Sequence, residues 1–359
     1  MDPMEEALLL ARKALGNVSP NPAVGAVVVK NGQVMGRGFT QPPGGPHAEV
    51  IALQEAGDKA NGATMYVTLE PHAHQGRTPP CTDAIIQAGI VEVHIATLDP
   101  NPDVNGKGIV ALEAAGVRVT VGDHEHEAQQ VIEAFAKHVT TGLPFVVVKF
   151  AMSLDGKIAT STGESQWISG PEMRREVHRL RAECDAIMVG IQTALQDNPQ
   201  LTVRDVPEPP ERQPLRVVVD SSGRMPATAR MLAESGKTLV AVAEGTANDH
   251  SLLVDAGAEV VSLPGDDGRV DLRALLQLLG QRGVTSVLVE GGSTLLGALF
   301  DLGAVDKVIG CVSPVVIGGA KAPTPVGGQG AHHLADSLRL RDVSVTTIGN
   351  DVMITGYPQ

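Results

Sequence analysis

Aromatic residues are scarce in this sequence, and their scarcity excludes one class of partner. Tryptophan, tyrosine and phenylalanine make up 2% of the 359 residues, and 41 acidic residues outweigh 28 basic ones, for a formal net charge of -13. Polynucleotide-binding surfaces are strongly basic, and those that hold single strands also stack bases on aromatic side chains. The composition therefore argues against a nucleic-acid partner and favours a small, individually held substrate.

Cysteine is scarce as well. The chain has three cysteines, Cys81, Cys184 and Cys311, which are widely spaced and odd in number. This is not the pattern of a disulfide framework. The N-terminus lacks a basic start followed by an apolar run, and no apolar stretch reaches the ~20 residues of a membrane helix. We therefore expect a cytoplasmic protein without a membrane partner, in which Cys184 and Cys311 are inert core residues.

The length of the chain predicts two domains, because domains average about 150 residues. The sequence is 43% hydrophobic and contains 40 glycines, which is typical of an α/β chain with many tight turns. Helical and strand patterns alternate in the first part, as in a three-layer α/β/α sandwich. A helical pattern ends at Thr141-Gly142-Leu143-Pro144, so we place the domains at residues 1–143 and 144–359.

The segment 46–81 carries the pattern of a catalytic zinc site. His47, His72 and Cys81 would supply three nitrogen or sulfur ligands and leave the fourth tetrahedral position open for water. Glu49 follows the first histidine by two residues and would carry protons, as in zinc-dependent nucleobase deaminases. A helical pattern begins at His47, and another begins at Cys81. Two helix N-termini are therefore expected to converge on the metal.

One position departs from the usual deaminase signature, which has cysteine where this chain has His72. An imidazole in place of a thiolate makes the metal a stronger Lewis acid but weakens its binding. We expect zinc to bind, with His74 as an alternative ligand. Asn21, between two prolines, is either a pyrimidine-binding side chain or a simple turn residue.

In the second half, polar segments follow apolar strands, where ligands bind in α/β sheets. The clearest is Glu290-Gly291-Gly292, between the strand 284–289 and a helix, since a glycine pair there lets backbone amides approach a phosphate. The dinucleotide fingerprint G-x-G-x-x-G is absent from the sequence. A nicotinamide cofactor must therefore be held by another scaffold. The strands 307–312, 343–348 and 352–355 predict an antiparallel end to the sheet.

Six segments together resemble the bifunctional deaminase-reductases of riboflavin biosynthesis over essentially the full chain. They are His47-Ala48-Glu49, Leu69-Glu70-Pro71 with Gly76-Arg77-Thr78-Pro79-Pro80-Cys81, Ser153-Leu154-Asp155-Gly156-Lys157, Gly163-Glu164-Ser165-Gln166-Trp167, Asp197-Asn198-Pro199 and Glu290-Gly291-Gly292. The resemblance implies a cytidine-deaminase-like domain followed by a dihydrofolate-reductase-like domain. It also implies zinc, NADPH and a pyrimidine ribosyl phosphate substrate that is deaminated and then reduced in its sugar. A homo-oligomer, dimer or tetramer, is expected.

The resemblance also implies residue roles in the reductase. Residues expected to bind the cofactor are Ala151, Trp167, Thr193, Asp197, Ser221, Gly292, Ser293, Thr294 and Leu295. Residues expected to bind substrate, with Asn21 in the deaminase, are Ser165, Arg181, Leu201, Arg204 and Glu290. The two arginines are suited to grip a phosphate in a bidentate manner, and Glu290 to accept hydrogen bonds from ribose hydroxyls.

The end of the strand 215–219 predicts a preference for NADPH over NADH. Ser221 and Arg224 could bind the additional phosphate, whereas NAD-binding sites use an acidic residue for the free ribose hydroxyl. Asp220 is the acidic neighbour. Because side chains alternate between the faces of a strand, we expect Ser221 to face the phosphate and Asp220 to face away.

Three alternatives stay open from the sequence. One is a deaminase that edits tRNA or DNA, which the acidic charge and the few aromatics disfavour. The second is a reductase whose deaminase site is impaired by His72. The third is a ligand-binding or regulatory protein built on a retired enzyme. Zinc content and NADPH oxidation would separate them.

Overall fold

The computed structural model describes residues 2–76, 78–102, 104–207, 212–246, 248–265 and 267–359. The chain forms two compact units, Met1–Gly142 and Leu143–Gln359, each with its own sheet. The division lies one residue before the boundary expected from the sequence. Among the described residues, no helix is both long and apolar enough to cross a membrane.

The first unit contains a five-stranded sheet in the order β2-β1-β3-β4-β5. Its strands are β1 (Gly25–Lys30), β2 (Gln33–Phe39), β3 (Thr64–Leu69), β4 (Glu92–Thr97) and β5 (Arg118–Val121). The pairs β1/β2 and β1/β3 are antiparallel, and β3/β4 and β4/β5 are parallel. Asn31 and Gly32 both have positive φ, 52° and 73°. These are the dihedral signs of the two-residue hairpin turn that the sequence predicts between β1 and β2.

Helices cover both faces of this sheet. They are α1 (Pro3–Ala14), α2 (Ala48–Ala56), α3 (Cys81–Gln87), α4 (Lys107–Ala114), α5 (Glu125–Val131) and α6 (Glu133–Thr141), with a 3-10 helix at Gly57–Ala60. One apolar core joins α1 and α5 to residues such as Val27 on one face. The other joins α2, α3 and α4 to residues such as Val28 on the opposite face. The predicted three-layer α/β/α arrangement is confirmed.

The sequence pattern of residues 128–139 predicts a single helix, and this prediction is wrong, since the chain bends at Ile132 (φ -101°, ψ 10°) between α5 and α6. Val131 and Ile132 are both buried, but they pack into different cores of the unit. A continuous helix would place these neighbours only about 100° apart around its axis. The bend lets each side chain reach its own core.

Two glycines of β2 set the position of α2. A Cβ added at Gly38 would lie 2.1 Å from the carbonyl oxygen of Ala48, and one added at Gly36 would lie 2.1 Å from that of Ala52. Real Cβ atoms cannot approach a carbonyl oxygen so closely, so only glycine allows the helix to lie this near the strand. The first turn of α2, which carries Glu49, is thereby fixed against the sheet.

The second unit contains a nine-stranded sheet in the order β10-β9-β8-β7-β11-β6-β12-β14-β13. Its strands are β6 (Phe145–Ser153), β7 (Ala186–Gly190), β8 (Leu215–Val219), β9 (Thr238–Ala243), β10 (Ala258–Leu263), β11 (Ser286–Glu290), β12 (Lys307–Ser313), β13 (Leu340–Ile348) and β14 (Asp351–Pro358). The strands from β10 to β12 are parallel to their neighbours. The pairs β12/β14 and β13/β14 are antiparallel, which confirms the predicted end of the sheet.

The helices of this unit also lie on both faces of its sheet. They are α7 (Pro171–Glu183), α8 (Ile191–Asp197), α9 (Arg230–Ala233), α10 (Ser251–Asp255), α11 (Leu272–Gln281) and α12 (Ser293–Asp301), with a 3-10 helix at Leu334–Asp336. Val217 packs into the core beneath α11 and α12, whereas Val218 packs into the core on the opposite face. Burial on both faces explains why these strands read as continuous apolar runs. The exposed linker predicted at residues 207–214 includes residues 208–211, which lie outside the described residues.

Candidate active sites

The three predicted zinc ligands lie together in the first unit. His47 immediately precedes α2, Cys81 is the first residue of α3, and His72 follows β3. One ligand atom from each lies within 4.8 Å of the others. Zinc bonds to nitrogen and sulfur are about 2.0–2.3 Å long, so three such atoms around one tetrahedral ion fall within this spread. The residues present therefore fit the ion.

The orientation of the His47 ring suits metal binding. Its Nε2 lies 3.3 Å from Oγ1 of Thr78, and its Nδ1 lies 3.4 Å from Sγ of Cys81. A histidine ligand commonly binds the metal through one ring nitrogen while the other is held by a hydrogen-bond partner. Thr78 is thus a supporting residue that the sequence reasoning did not single out. Arg77, its neighbour in the same motif, lies outside the described residues.

The protonation of the ligands also agrees with a metal site. Burial, with the nearby rings of His47 and His74, lowers the pKa of His72 to about 4, so this ring is neutral at pH 7. Burial and the Glu49 carboxylate raise the pKa of the Cys81 thiol. Metal binding must therefore displace a proton from Cys81, as is usual for a thiolate ligand.

His74 lies beside the cluster rather than in it. Its ring centroid is 5.3 Å from that of His72, in an edge-on arrangement. Among the described residues, the group that could hold a metal is His47, His72 and Cys81. His72 is therefore the favoured third ligand, and His74 is left as part of the wall of the adjoining cavity.

Glu49 lies in the first turn of α2 with its side chain buried, and it faces the same cavity. Burial raises the pKa of this carboxyl, while a backbone hydrogen bond, His47 and Cys81 act in the opposite direction. A carboxyl with a raised pKa can both accept and return a proton near neutral pH. This is the behaviour expected of the proton carrier.

The cavity next to the metal cluster has a volume of about 300 Å³, within the range of small-molecule sites. Asn21 lines the cavity, which favours a ligand-binding role for its side chain. Its backbone amide also donates to the carbonyl oxygen of Val18 and closes a turn. Asp99, Asn101 and Phe135 line it too. The sequence reasoning missed these three, although for Asp99 and Asn101 a polar loop directly after β4 was the available signal.

In the second unit, Glu290 is the centre of a half-buried ionic cluster at the end of β11. Nε and Nη2 of Arg181 donate to its two oxygens at 2.5 and 3.0 Å, and Nζ of Lys149 lies 3.9 Å away. Burial alone would raise the pKa of Glu290, but the positive charges of Arg181 and Lys149 hold this pKa below its usual value. Lys149, paired with Glu290 in the β6/β11 register, was not predicted as a site residue. The sequence feature that could have indicated Lys149 is a single lysine within an otherwise apolar strand pattern.

The two arginines expected to grip a phosphate differ in this structure. The bidentate edge of Arg181 faces Glu290, and its Nη1 donates to the carbonyl oxygen of Thr202. Arg204 is exposed, and its Nη1 donates to Oγ1 of Thr202. Arg204 is therefore the more available of the two for a phosphate. Leu201 is buried with a positive φ of 52°, so the substrate contact expected there would come from its backbone.

Other predicted residues also lie at the carboxyl ends of the strands. Oγ of Ser165 donates to Oδ1 of Asp197 at 2.7 Å, joining a predicted substrate residue to a predicted cofactor residue. Trp167 is 66% exposed, and the Arg174 guanidinium lies 4.7 Å from its ring centroid. Ala151 is half-buried near the end of β6. A large exposed aromatic ring here is available to a planar cofactor.

The start of α12 fits a phosphate-bearing cofactor. Gly291 and Gly292 have φ of 82° and 88°, and a Cβ on Gly292 would lie 3.3 Å from Oγ1 of Thr193. Ser293 and Thr294 form the first turn, where backbone amides favour anions. Leu295 is buried in the core, so a cofactor contact there would also be made by its backbone.

Asp220 and Ser221 have different environments at the end of β8. Asp220 is fully buried, and its Oδ2 accepts from the amide of Met225 at 2.7 Å, while Oδ1 lacks a partner among the described residues. Burial raises the pKa of this carboxyl. Ser221 is half-buried and accepts from the amide of Val270, which leaves its hydroxyl hydrogen free to donate. The assignment of Ser221 to the cofactor phosphate stays a prediction.

Comparison with known proteins matches both units. Residues 144–354 match the RibD C-terminal domain family, and residues 2–97 match the cytidine and deoxycytidylate deaminase zinc-binding region. The riboflavin biosynthesis protein RibD of Aquifex aeolicus is 41% identical over 98% of this chain and 96% of its own length. That of Escherichia coli is 40% identical over 98% of this chain and 97% of its own length.

Solved structures give the same result. RibD of Acinetobacter baumannii has 38% identity and a TM-score of 0.88, covering 99% of this chain and 98% of that one. A Thermotoga maritima protein described as a diaminohydroxyphosphoribosylaminopyrimidine deaminase and 5-amino-6-(5-phosphoribosylamino)uracil reductase has 36% identity and a TM-score of 0.85, with the same coverage. These matches confirm the fold class expected for both halves of the chain.

Proposed function

This chain belongs to the RibD family of riboflavin biosynthesis proteins, and from this premise we propose how its two units divide the work. The chain is a bifunctional enzyme with deaminase and reductase activities. We assign residues 1–143 to the zinc-dependent deaminase and residues 144–359 to the NADPH-dependent reductase. The observation that carries the first assignment is the cluster of His47, His72 and Cys81 beside Glu49 in one cavity.

The first substrate is 2,5-diamino-6-(5-phosphoribosylamino)pyrimidin-4-one. Its deamination yields 5-amino-6-(5-phosphoribosylamino)uracil, whose ribosyl group is then reduced to ribityl. These are pyrimidine ribosyl phosphates, in line with an acidic chain that has few aromatic residues. The Thermotoga maritima protein is described by the same two reactions.

In the deaminase, His47, His72 and Cys81 would hold zinc, which supplies the Lewis acidity that makes a water acidic at neutral pH. Glu49 would accept a proton from the attacking water and carry protons to the ring nitrogen and to the leaving amine, so that ammonia departs and the ring carbon keeps the oxygen as a carbonyl. Burial raises the pKa of the Glu49 carboxyl, which makes it a stronger base for the first proton transfer. Asn21, which lines the cavity, would hydrogen-bond the pyrimidine edge.

In the reductase, NADPH supplies the hydride when bound. Gly292, Ser293 and Thr294 receive its phosphates at the start of α12, and Trp167 offers a flat apolar surface. Glu290, held ionised by Arg181, accepts hydrogen bonds from sugar hydroxyls. Arg204 binds the substrate phosphate from the exposed side of the same region.

The deciding experiment gives the purified chain the diamino substrate without and then with NADPH. The expected products differ from the substrate first by the deamination mass change and then by the addition of two hydrogens, with one zinc per chain. A reductase-only chain would instead leave the diamino substrate unchanged while still oxidising NADPH with the deaminated compound. The presence of His72 within the ligand cluster does not favour that alternative.

We also propose a homo-oligomer that works in the cytoplasm. Strand β13 lies at the edge of the second sheet, with Val343 and Val345 52% and 65% exposed. An exposed edge strand with valines on its surface offers a place where another chain can pair. None of the three cysteines, all of which are described, forms a disulfide bond, in line with a reducing compartment. Light scattering would give the oligomeric state.

A further inference from the structure

Glu70 is a buried carboxylate whose side chain accepts hydrogen bonds from one loop and from the start of one helix of the deaminase unit. It lies directly after β3 and is 3% exposed. Its Oε2 lies 3.0 Å from the amide nitrogen of Gly106 and 3.3 Å from that of Asp99, and its Oε1 lies 2.9 Å from that of Gly108. Three backbone amides thus donate to one side chain.

The partners of Glu70 belong to the segment that forms a wall of the substrate cavity. Asp99, Asn101 and Val104 line the cavity, and they belong to the segment that runs from the bonded amide of Asp99 to that of Gly106. The segment is also tied internally, since Oδ1 of Asp99 accepts from the amide of Asn101 and its carbonyl oxygen accepts from Asn105 Nδ2. Asp103 of this loop lies outside the described residues. Glu70 therefore holds a loop that is already ordered by its own bonds.

The same carboxylate holds the start of α4. Gly106 precedes the helix with a φ of 77° and has no side chain to cap it, so Glu70 supplies the acceptor from another part of the chain. A negative charge is favourable at a helix N-terminus. A Cβ on Gly108 would lie 2.0 Å from the carbonyl oxygen of Pro71, so glycine is required for this close approach.

Since Glu70 lies two residues before His72, it links the strand that delivers a metal ligand to the loop that faces the substrate. We propose that Glu70 is a positioning residue, which sets the distance between the metal cluster and the substrate-binding wall formed by Asp99, Asn101 and Val104. This inference rests on the proposed deaminase function. It concerns the fit of the substrate, because His47 and Glu49 belong to the start of α2 and Cys81 to the start of α3, and His72 is the one metal ligand that follows β3.

The test compares Glu70→Gln with the control Glu113→Gln. The control changes an exposed carboxylate on α4, the helix whose start is bonded to Glu70. Glutamine keeps the length of the side chain but replaces one acceptor oxygen by the NH2 group of an amide, which faces backbone donors. We expect the KM of deamination to rise about tenfold to hundredfold, with kcat within about threefold and zinc still at one per chain. NADPH oxidation by the second unit should be unchanged in both variants.

Amide hydrogen exchange supplies a readout that does not depend on turnover. The wild type and Glu113→Gln should protect the amides of Asp99, Gly106 and Gly108, whereas Glu70→Gln should lose this protection while α2 stays protected. Absence of deamination in the wild type would count against the proposed function. In that case the hydrogen-exchange result would still test whether Glu70 holds the loop and the start of α4.

Three outcomes would overturn the proposal. They are loss of protection with an unchanged KM, loss of zinc together with kcat, and retained protection in Glu70→Gln. If Glu70→Gln loses protection throughout the unit, Gly108→Ala provides the second variant. Its Cβ would push α4 away from Pro71 while the Glu70 charge stays. The same rise in KM is expected, and a wild-type KM in this variant would refute the positioning role.

Discussion

The ion pair between Arg181 and Glu290 gives the sharpest prediction for the second unit. Its side chains are 12% and 10% exposed, and two hydrogen bonds of 2.5 and 3.0 Å join them. Removing one partner of a buried pair leaves the other charge unpaired and lowers the free energy of unfolding by about 3–5 kcal/mol. Arg181→Met should therefore destabilise the unit by this amount. Glu290→Gln keeps an acceptor for Arg181, so the loss of charge should cost about 1.5–3 kcal/mol.

The measurement is urea unfolding followed by the fluorescence of Trp167, the single tryptophan of the chain, which lies in the second unit. The matched control is Glu259→Gln, which breaks the exposed pair with Arg282 (2.7 Å, side chains 53% and 35% exposed). Exposed pairs contribute about 0–1 kcal/mol. The double variant should cost less than the sum of the single variants, since neither charge is then left unpaired.

The pH dependence of this effect follows from the lowered pKa of Glu290. A carboxyl whose pKa is lower in the folded state adds stability above its unfolded pKa and loses it as the pH falls through the folded pKa. The difference in the free energy of unfolding between wild type and Glu290→Gln should therefore be largest near pH 7 and become smaller below about pH 4.5. The reasoning would be refuted if Glu290→Gln were as stable as the Glu259→Gln control. It would also be refuted if the stability losses of the two single variants added up to the loss in the double variant. Reductase turnover should fall in both single variants, with deamination unchanged.

Three further predictions concern the metal, the proton carrier and the cofactor. His72→Ala should lose zinc while His74→Ala retains it, as measured by metal analysis of the purified proteins, and equal zinc in the two would contradict the ligand assignment. Glu49→Gln should lower deamination about 10²- to 10⁴-fold while zinc content and NADPH oxidation persist, because the glutamate moves protons without binding the metal. The reductase should use NADPH with higher kcat/KM than NADH, and Ser221→Ala should narrow that difference. Equal efficiency of the wild type with both cofactors would show that the phosphate argument is wrong.

Local sequence patterns were sufficient for the metal cluster and for most strands. The ligands His47, His72 and Cys81 each lie at the end of a helix or strand that the sequence marks clearly, so the fold could bring them together in few ways. The buried strands of the second unit read as apolar runs because both of their faces are covered.

Contacts that depend on strand order could not be predicted. Arg181 and Glu290 are 109 residues apart, and they meet because β7 and β11 are neighbours in the sheet. The same order turns Lys149 from a break in an apolar pattern into a member of the ionic cluster. The bend at Ile132 was missed for a related reason, since the pattern around it does not reveal that adjacent side chains enter different cores.

The glycines of β2 extend the deaminase site beyond the residues that line its cavity. Gly36 and Gly38 contact the backbone of α2, and neither lines the cavity with Glu49. Any larger residue at these two positions would lift the helix and carry the proton carrier with it, because the helix moves as a rigid rod. In a scan of single substitutions, loss of deamination should therefore appear as a band along the outer strand of the sheet. Substitutions there should impair deamination although neither glycine lines the cavity.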